Sequence, residues 1–491
     1  MNLSDSTTLV LSVLLCFFVG LFFYGQKRST KYNLPPGPRP LPIIGNLHIL
    51  DLKKPYQTLH QLSKKYGPVY TIKLWEMEAV VLCGYEAVKD ALVNHANEFS
   101  GRAKVPLMDE VTKGYGVIFA NNDNWKLVRR FTLATLRDFG MGKETIENKI
   151  TDECGFLVKK VRSYKGEPFD NYMILNTATA NIIVSIVLSH RFSYEDPTLV
   201  KLLNIVHENI NLTVTPAAMM YYAFPSVMRW CSTIKNKVAK NMNVLHEFIQ
   251  ETFTNQRKEL DVNDQRNLIN SFLVKQQEKK TQLYFSNENL TALVTDLFVA
   301  GLDTTSTTLR WALLLMMKYP EIQRKVQSEI EKVIGSAEPQ VIHRKQMPYT
   351  DAVIHEIQRF GNIIPTNLPH VTTQDVNFRG YLLPKGTYVM PLLTSVLYDK
   401  DHFVKADEFY PEHFLDSSGN FVKKEAFMPF SAGKRSCVGE NLAKMQLFIF
   451  FTRLLQNFTF QAPPGATLDL TPEDGFITGP LPHKMCAIPR V

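Results

Sequence analysis

Cysteine is scarce in this chain. Six occur in 491 residues, at positions 16, 83, 154, 231, 437 and 486. So thin a supply excludes a disulfide scaffold. No two of them form a Cys-x-x-Cys pair, which removes zinc ribbons and thioredoxin-type motifs. The usage suits a reducing compartment. Glycine and proline, 24 and 27 residues, make up about a tenth of the chain, too little for a collagen-like or low-complexity protein. Dense Lys/Arg runs are missing as well. The formal charge of +8 is mildly basic, so it points to an acidic partner or a membrane surface and away from nucleic acid. Absent, too, is a Gly-x-Gly-x-x-Gly turn after a strand, so the chain shows no dinucleotide site of its own. The remainder, 45% apolar and 21% charged, is the composition of a globular protein.

Charge is missing altogether from Thr7 to Gly25, TTLVLSVLLCFFVGLFFYG. As a helix, this stretch spans roughly the 30 Å hydrocarbon core of a bilayer. A cleaved signal peptide would carry positive charge before the apolar run and small residues after it. Here Asp5 precedes the run, Lys27, Arg28 and Lys31 follow it, and no A-x-A pattern occurs. The sequence predicts a retained transmembrane anchor over residues 1–25, with the body in the cytosol. Residues 26–46 read as a basic, Pro-rich hinge. The five prolines between Leu34 and Asn46 exclude a helix and favour stiff extended chain, a spacer between membrane and body.

Residues 47–491 contain no dividing linker and no repeat. Strand-like runs stand at Val69–Trp75, Ala79–Gly84 and within 376–393, while residues 120–360 read mainly as helices. Leu290–Lys318 is long and apolar but carries Asp296, Asp303 and Arg310, which suits a buried core helix rather than a second membrane span. The fold expected is a single large domain, mainly α with a minor β part.

Four short patches carry chemistry. In Phe430–Leu455 a lone cysteine, Cys437, stands between Gly433 and Gly439, just before a helical apolar run. Glycine permits tight turns and close backbone approach, and a helix N-terminus stabilises a thiolate. With Arg435 beside it for a carboxylate, this arrangement suits axial ligation of haem iron, the arginine on a propionate. Glu356 and Arg359 are three residues apart on one helical face and can pair. Ala300-Gly-Leu-Asp303-Thr304-Thr interrupts the long helix with glycine and threonine. It reads either as an imperfect core helix with a back-bonded hydroxyl or as a widened turn that presents a hydroxyl and a carboxyl to a buried site. Trp125 and Arg129 share one face of a further helix.

The segment Phe430-Ser-Ala-Gly433-Lys-Arg435-Ser-Cys437-Val-Gly439 resembles the haem-binding signature of the cytochrome P-450 family at every fixed position. Stretches such as PPGPRPLPIIGN, RRFTLATLRDFGMGK and MPYTDAVIHEIQR resemble its vertebrate microsomal drug- and fatty-acid-oxidising branch, and the likeness extends over essentially the whole chain. The resemblance implies a haem-thiolate domain with haem b bound through Cys437. It implies that Glu356 and Arg359 hold the core around the haem, with His413 where the family usually has arginine. Thr304 would support dioxygen and Asp303 would assist proton delivery. Trp125 and Arg129 would contact the haem propionates, joined by Arg102 and His370. Phe119, Ala300, Ile363, Ile364, Leu368 and Phe476 would line a pocket, and their apolar character favours lipophilic substrates.

By the same resemblance the enzyme is a monooxygenase of the endoplasmic reticulum membrane, acting on xenobiotics, fatty acids or steroids. Its electrons come from NADPH through NADPH-cytochrome P-450 reductase, with cytochrome b5 as an accessory donor. The rival readings are a peroxide-rearranging haem lyase on the same fold and a non-catalytic haem-binding membrane protein.

Overall fold

Val69–Leu74 (β1) and Met77–Leu82 (β2) are rich in β-branched residues and pair antiparallel about a turn at Trp75, with Val69 opposite Leu82. The computed structural model describes residues 33–75, 77–139, 144–225, 228, 233–260, 267–278 and 283–490. Two compact units emerge.

The first unit combines residues up to Ala103 with Thr366–Ser395 and Ala432–Arg435. Its sheet adds Gly101–Arg102 (β3), His370–Val371 (β4) and Tyr388–Pro391 (β5) in the order β1-β2-β5-β4-β3. Only the β2–β5 pairing is parallel. The outer edge of β1 is covered by the Pro-rich segment. Thr71 donates through its amide to Pro36 O (2.7 Å) and through Oγ1 to Pro35 O (3.0 Å), and Asn46 N donates to Lys73 O (2.6 Å). A proline offers no amide but keeps its carbonyl, so it can close a sheet edge without extending it.

The second unit holds the remaining described residues and is mainly helical. Five of its helices matter below: α1 (Asn122–Asp138), α2 (Tyr172–Leu188), α3 (Asn287–Lys318), α4 (Pro348–Gly361) and α5 (Glu440–Asn457). Ser286 caps α3 by accepting the Asn289 amide through its side chain. The helix stops at Tyr319, and Pro320 opens the next one. α3 packs on α2, where Thr179 Oγ1 donates to Leu302 O (3.1 Å). A Cβ on Gly301 would lie 2.5 Å from Ile183 Cδ1, so the glycine in mid-helix serves this close approach.

Among the described residues no helix is long and apolar enough to cross a membrane. The anchor expected over residues 1–25 lies outside the described residues.

Candidate functional site

In the second unit, the chain before α5 doubles back so that Cys437 N donates to Phe430 O (3.0 Å). Cys437 stands two residues ahead of Gly439, the N-cap of α5. Cys437 keeps its side chain accessible, and the protein packed around it is the largest influence on its pKa. Burial raises the pKa, as does the Glu440 charge, while the Gly439 amide and the Arg129 charge lower it. The net shift is upward, so the protein alone favours the neutral thiol. Coordination to a metal would remove its proton.

Arg129 reaches this loop directly. Its Nη2 donates to Ser436 O (2.7 Å) and Ser436 Oγ (3.3 Å), so the guanidinium fixes the peptide just before the cysteine. The side chains of α1 sort as their spacing predicts: Trp125 is buried and Arg129 half-buried, while Lys126 and Arg130 are exposed.

The two glycines around the cysteine differ. Gly433, in the first unit, has φ +70°, and a Cβ there would fall 1.7 Å from Leu92 O, so no other residue fits. Gly439 has φ −96°, which any residue can adopt. A Cβ there would meet only Cys437 Sγ, at 3.9 Å.

The first unit gathers Arg102, His370 and Arg435. Arg102 Nη1 donates to Leu368 O (3.0 Å) and Pro369 O (3.2 Å), and Arg435 Nε donates to Ser100 O (2.7 Å). These backbone carbonyls orient the guanidinium groups. His370 Nδ1 donates to Phe99 O (2.7 Å), while its Nε2 is buried with no hydrogen-bond partner. Burial and then the charges of Arg102 and Arg435 depress the imidazole pKa to about 3. Two buried cations form a setting for carboxylates, while the neutral His370 ring, its one proton directed at Phe99 O, has only a lone pair at Nε2. Haem carries two propionates, so this donor set fits the group.

Glu356 and Arg359 on α4 are both fully buried. Arg359 donates through Nε and Nη2 to the two Glu356 oxygens (2.8 and 2.7 Å), through Nη1 to Leu397 O and Ala406 O, and through Nη2 to Glu408 O. All five guanidinium donors are thereby used. His413 takes the third place with Nδ1 3.1 Å from Glu356 Oε2. Its Nε2 accepts the Lys405 amide (3.2 Å), so the ring is the neutral tautomer with its proton on Nδ1.

On α3, Leu297, Ala300, Gly301 and Thr304 form an accessible face, and Val299 is the one other residue between Thr291 and Thr304 that is not buried. The widened turn anticipated here does not occur. The helix stays α throughout, because Thr304 Oγ1 donates to Ala300 O (2.7 Å) and Gly301 is committed to packing against Ile183. Asp303 is buried away from that face. Burial raises its carboxyl pKa, while the charges of His207 and Arg310 lower it.

The pocket candidates are tied down in sets. Thr478, two residues after Phe476, donates its amide to Ile363 O (2.9 Å) and its hydroxyl to Asn362 O (3.0 Å). Trp311 Nε1 holds Thr478 O (3.0 Å), and Ile364 follows Ile363 in the same loop. Just before Phe119, Asp296 Oδ2 accepts the amides of Val117 (2.6 Å) and Ile118 (2.9 Å). Leu368, in the first unit, contributes its carbonyl to Arg102. Asp296 was not anticipated as a site residue. A carboxyl in a long apolar helix was the available signal.

The Cytochrome P450 family profile matches residues 35–487. The chain is 46% identical to Cytochrome P450 2K1 of Oncorhynchus mykiss, over 99% of this chain and 98% of that protein. It is 48% identical to Cytochrome P450 2K6 of Danio rerio, over 92% and 90%, and 47% identical to Cytochrome P450 2C5 of Oryctolagus cuniculus, over 98% and 99%. With a match along nearly the full length, the chain belongs to the cytochrome P450 family of haem-thiolate monooxygenases.

Proposed function

We propose that Cys437 is the axial ligand of the haem iron and that lipophilic substrates are oxygenated beside the accessible face of α3. The observation that carries this reading is the exposed Cys437 thiol, with the Gly439 amide and the Arg129 charge directed at it. Haem b is the cofactor of the family, and it supplies the redox chemistry that inserts one atom of dioxygen into the substrate. Electrons reach it from NADPH through NADPH-cytochrome P450 reductase, with cytochrome b5 as a further partner.

The chain's own residues bind, orient and move protons. Arg129 fixes the peptide before Cys437 and contributes positive charge toward the thiolate. Gly433 and Gly439 belong to the same loop, as does Phe430, whose carbonyl closes it. Arg102 and Arg435 take propionate oxygens, as do Arg129 and Trp125, and His370 joins them by taking up a second proton on Nε2 once a propionate charge lies beside it. Thr304 presents a hydroxyl that can exchange its Ala300 partner for a water, and Asp303 feeds protons toward it. Phe119, Ala300, Ile363, Ile364, Leu368 and Phe476 bound the substrate; none is charged, which favours lipophilic xenobiotics, fatty acids or steroids. Glu356, Arg359 and His413 keep the frame rigid. Residues 1–25 anchor the chain in the endoplasmic reticulum membrane, residues 26–46 join anchor to body, and residues 47–491 form the monooxygenase domain on the cytosolic side.

The test is turnover by the full chain with reductase in lipid vesicles, on a panel of fatty acids, steroids and lipophilic drugs. The reading expects products that carry one atom of labelled dioxygen and require NADPH. Conversion of hydroperoxides without NADPH, and no oxygenation of any panel member, would point to the lyase instead.

A further inference from the structure

Three helices of the second unit leave a gap between them. Val184 and Val187 of α2, Leu245 and Ile249 of the helix Thr233–Lys258, and Val294 and Phe298 of α3 line a cavity of about 20 Å³. Each pair stands three or four residues apart, so each helix turns one face to it. One water-sized molecule needs roughly 10–15 Å³, so volume alone would admit it. Chemistry does not. Every lining side chain is hydrocarbon, and a water held there would find no hydrogen-bond partner. Cavities of this kind stay dry and take up small apolar molecules, xenon among them.

One side chain separates this cavity from the accessible face of α3. Ile183 also lines the cavity. Its Cδ1 fills the space where Gly301 has no side chain, 2.5 Å from where a Cβ would stand. Gly301 in turn belongs to the accessible face, beside Ala300 and Thr304. At Gly301, therefore, α3 puts no side chain of its own between Ile183 and that face. Side chains in packed interiors do change rotamer, and such a change at Ile183 would join the two spaces. On the other side, Leu188 and Phe248 are the lining residues that are only half-buried.

We propose that this cavity is a holding site for dioxygen, filled past Leu188 and Phe248 and emptied toward the accessible face of α3 when Ile183 swings off Gly301. The inference rests on the reading that oxygenation takes place beside that face. Dioxygen is small, uncharged and apolar, so a dry hydrocarbon void suits it. The same void is too small for a fatty acid, a steroid or a drug. Gas held one side chain away supplies the reaction without competing with the organic substrate for space. No bond forms or breaks in the cavity; it acts on the rate at which dioxygen arrives.

The test uses the full-length holoprotein in lipid nanodiscs, with xenon as the probe of the cavity and carbon monoxide as a photolysable diatomic. Xenon NMR of the parent should show a protein-bound signal, and Val187→Phe, which fills the void, should remove it. After flash photolysis, the share of carbon monoxide that returns before escaping should rise under xenon pressure in the parent and stay constant in Val187→Phe. Dioxygen association with the reduced protein, followed by stopped flow, should slow by roughly twofold or more in Val187→Phe. Val187→Ile adds a single methylene and gives a smaller effect of the same sign if the phenylalanine overpacks the core. Ile183→Val deletes Cδ1 alone; it should keep the xenon signal and speed dioxygen association, a change opposite in sign to that of filling the void. A parent without a bound xenon signal overturns the proposal. So does bound xenon with unchanged carbon monoxide return and unaltered dioxygen association in Val187→Phe, which marks a packing void only. Incorporation of labelled dioxygen into the substrate panel is scored apart and can succeed with the cavity empty, so failure of the holding site and failure of the underlying reading are distinguishable.

Discussion

Glu356 and Arg359 meet as a bidentate pair at 2.7 and 2.8 Å, with no solvent reaching either side chain. Three further donors of the guanidinium reach the carbonyls of Leu397, Ala406 and Glu408. Tyr410 N and His413 then occupy the Glu356 carboxylate from its other side. One helix thereby fixes the course of residues 397–413.

Removing half of such a pair strands a buried charge. Glu356→Ala should cost roughly 3–5 kcal/mol, and Arg359→Ala a similar amount. Both should show as a collapse in the yield of haem-loaded protein, measured by the reduced carbon monoxide difference spectrum. His413→Gln retains a neutral donor to Glu356 and should be far milder. Equal losses in all three variants would contradict the neutral role given to His413.

Cys437→Ser should abolish the red-shifted Soret band of the reduced carbon monoxide complex. Cys154→Ser and Cys486→Ser should keep it: Cys154 is fully buried and its thiol lies 4.0 Å from Ile449 O, while Cys486 sits in the strand Lys484–Pro489. A normal band in Cys437→Ser would remove the ligand assignment.

Thr304→Ala deletes a hydroxyl from the accessible face of α3 while Gly301 keeps its packing. Haem content and the rate of NADPH use should hold. Product formed per NADPH should fall by about tenfold or more, with peroxide and water taking its place. The measurement is product and peroxide counted against NADPH in one assay, and an unaltered ratio would make Thr304 a structural residue.

Lys126 and Arg130 project outward from α1 one helix step around from Trp125 and Arg129, on the helix that touches the Cys437 loop. Lys126 already pairs with Asp123 at 3.1 Å, but both are more than 60% exposed, so that pair screens little. Lys126→Glu with Arg130→Glu should weaken reductase-supported turnover most at low salt, since charge steering fades over a Debye length of about 8 Å at physiological strength. Superimposable reductase titrations of parent and double variant at low salt would place the docking face elsewhere.

The Asp296 carboxyl is pushed up to about 7 by burial, against the pull of the Ile118 and Val117 amides. Unfolded, it returns to about 4. Between those values the folded state holds a proton that the unfolded state has released. Its contribution to stability is therefore complete below about pH 4 and is lost as pH rises through about 7. Asp296→Asn keeps an oxygen for both amides and does not titrate. Going from about pH 5 to 8, the parent should lose stability relative to the variant by at most about 3 kcal/mol, at 1.36 kcal/mol for each of the roughly two units between pH 5 and the folded pKa. Melting curves taken across that range decide it, and parallel trends would clear Asp296 of the effect.

How far the sequence carries depends on how local each feature is. The loop from Phe430 to Gly439 is contiguous, so its turn, its helix start and its ligand can be read together. The early strands and the long helix are equally readable, because alternation and apolar length are properties of single segments. Asp296 shows the opposite case. Its partners Val117 and Ile118 lie 179 and 178 residues away and offer backbone amides, which have no sequence signature. Gly301 misleads for a related reason: spacing within one helix cannot reveal that Ile183 of another presses against it. The neutrality of His413 likewise depends on the Lys405 amide, which no motif specifies.

The sheet of the first unit is also a statement about synthesis. His370 and Phe99, which hydrogen-bond across it, are 271 residues apart in the chain. The unit also needs Ala432–Arg435, near the far end. A ribosome adding about 5–20 residues per second exposes β1 and β2 long before β5 exists to cover them. So remote a pairing delays closure and leaves strand edges bare meanwhile. Cofactor loading thus has to follow nearly complete translation, and substitutions that weaken β1 or β2 should appear first as chaperone dependence and lost expression, ahead of any change in turnover.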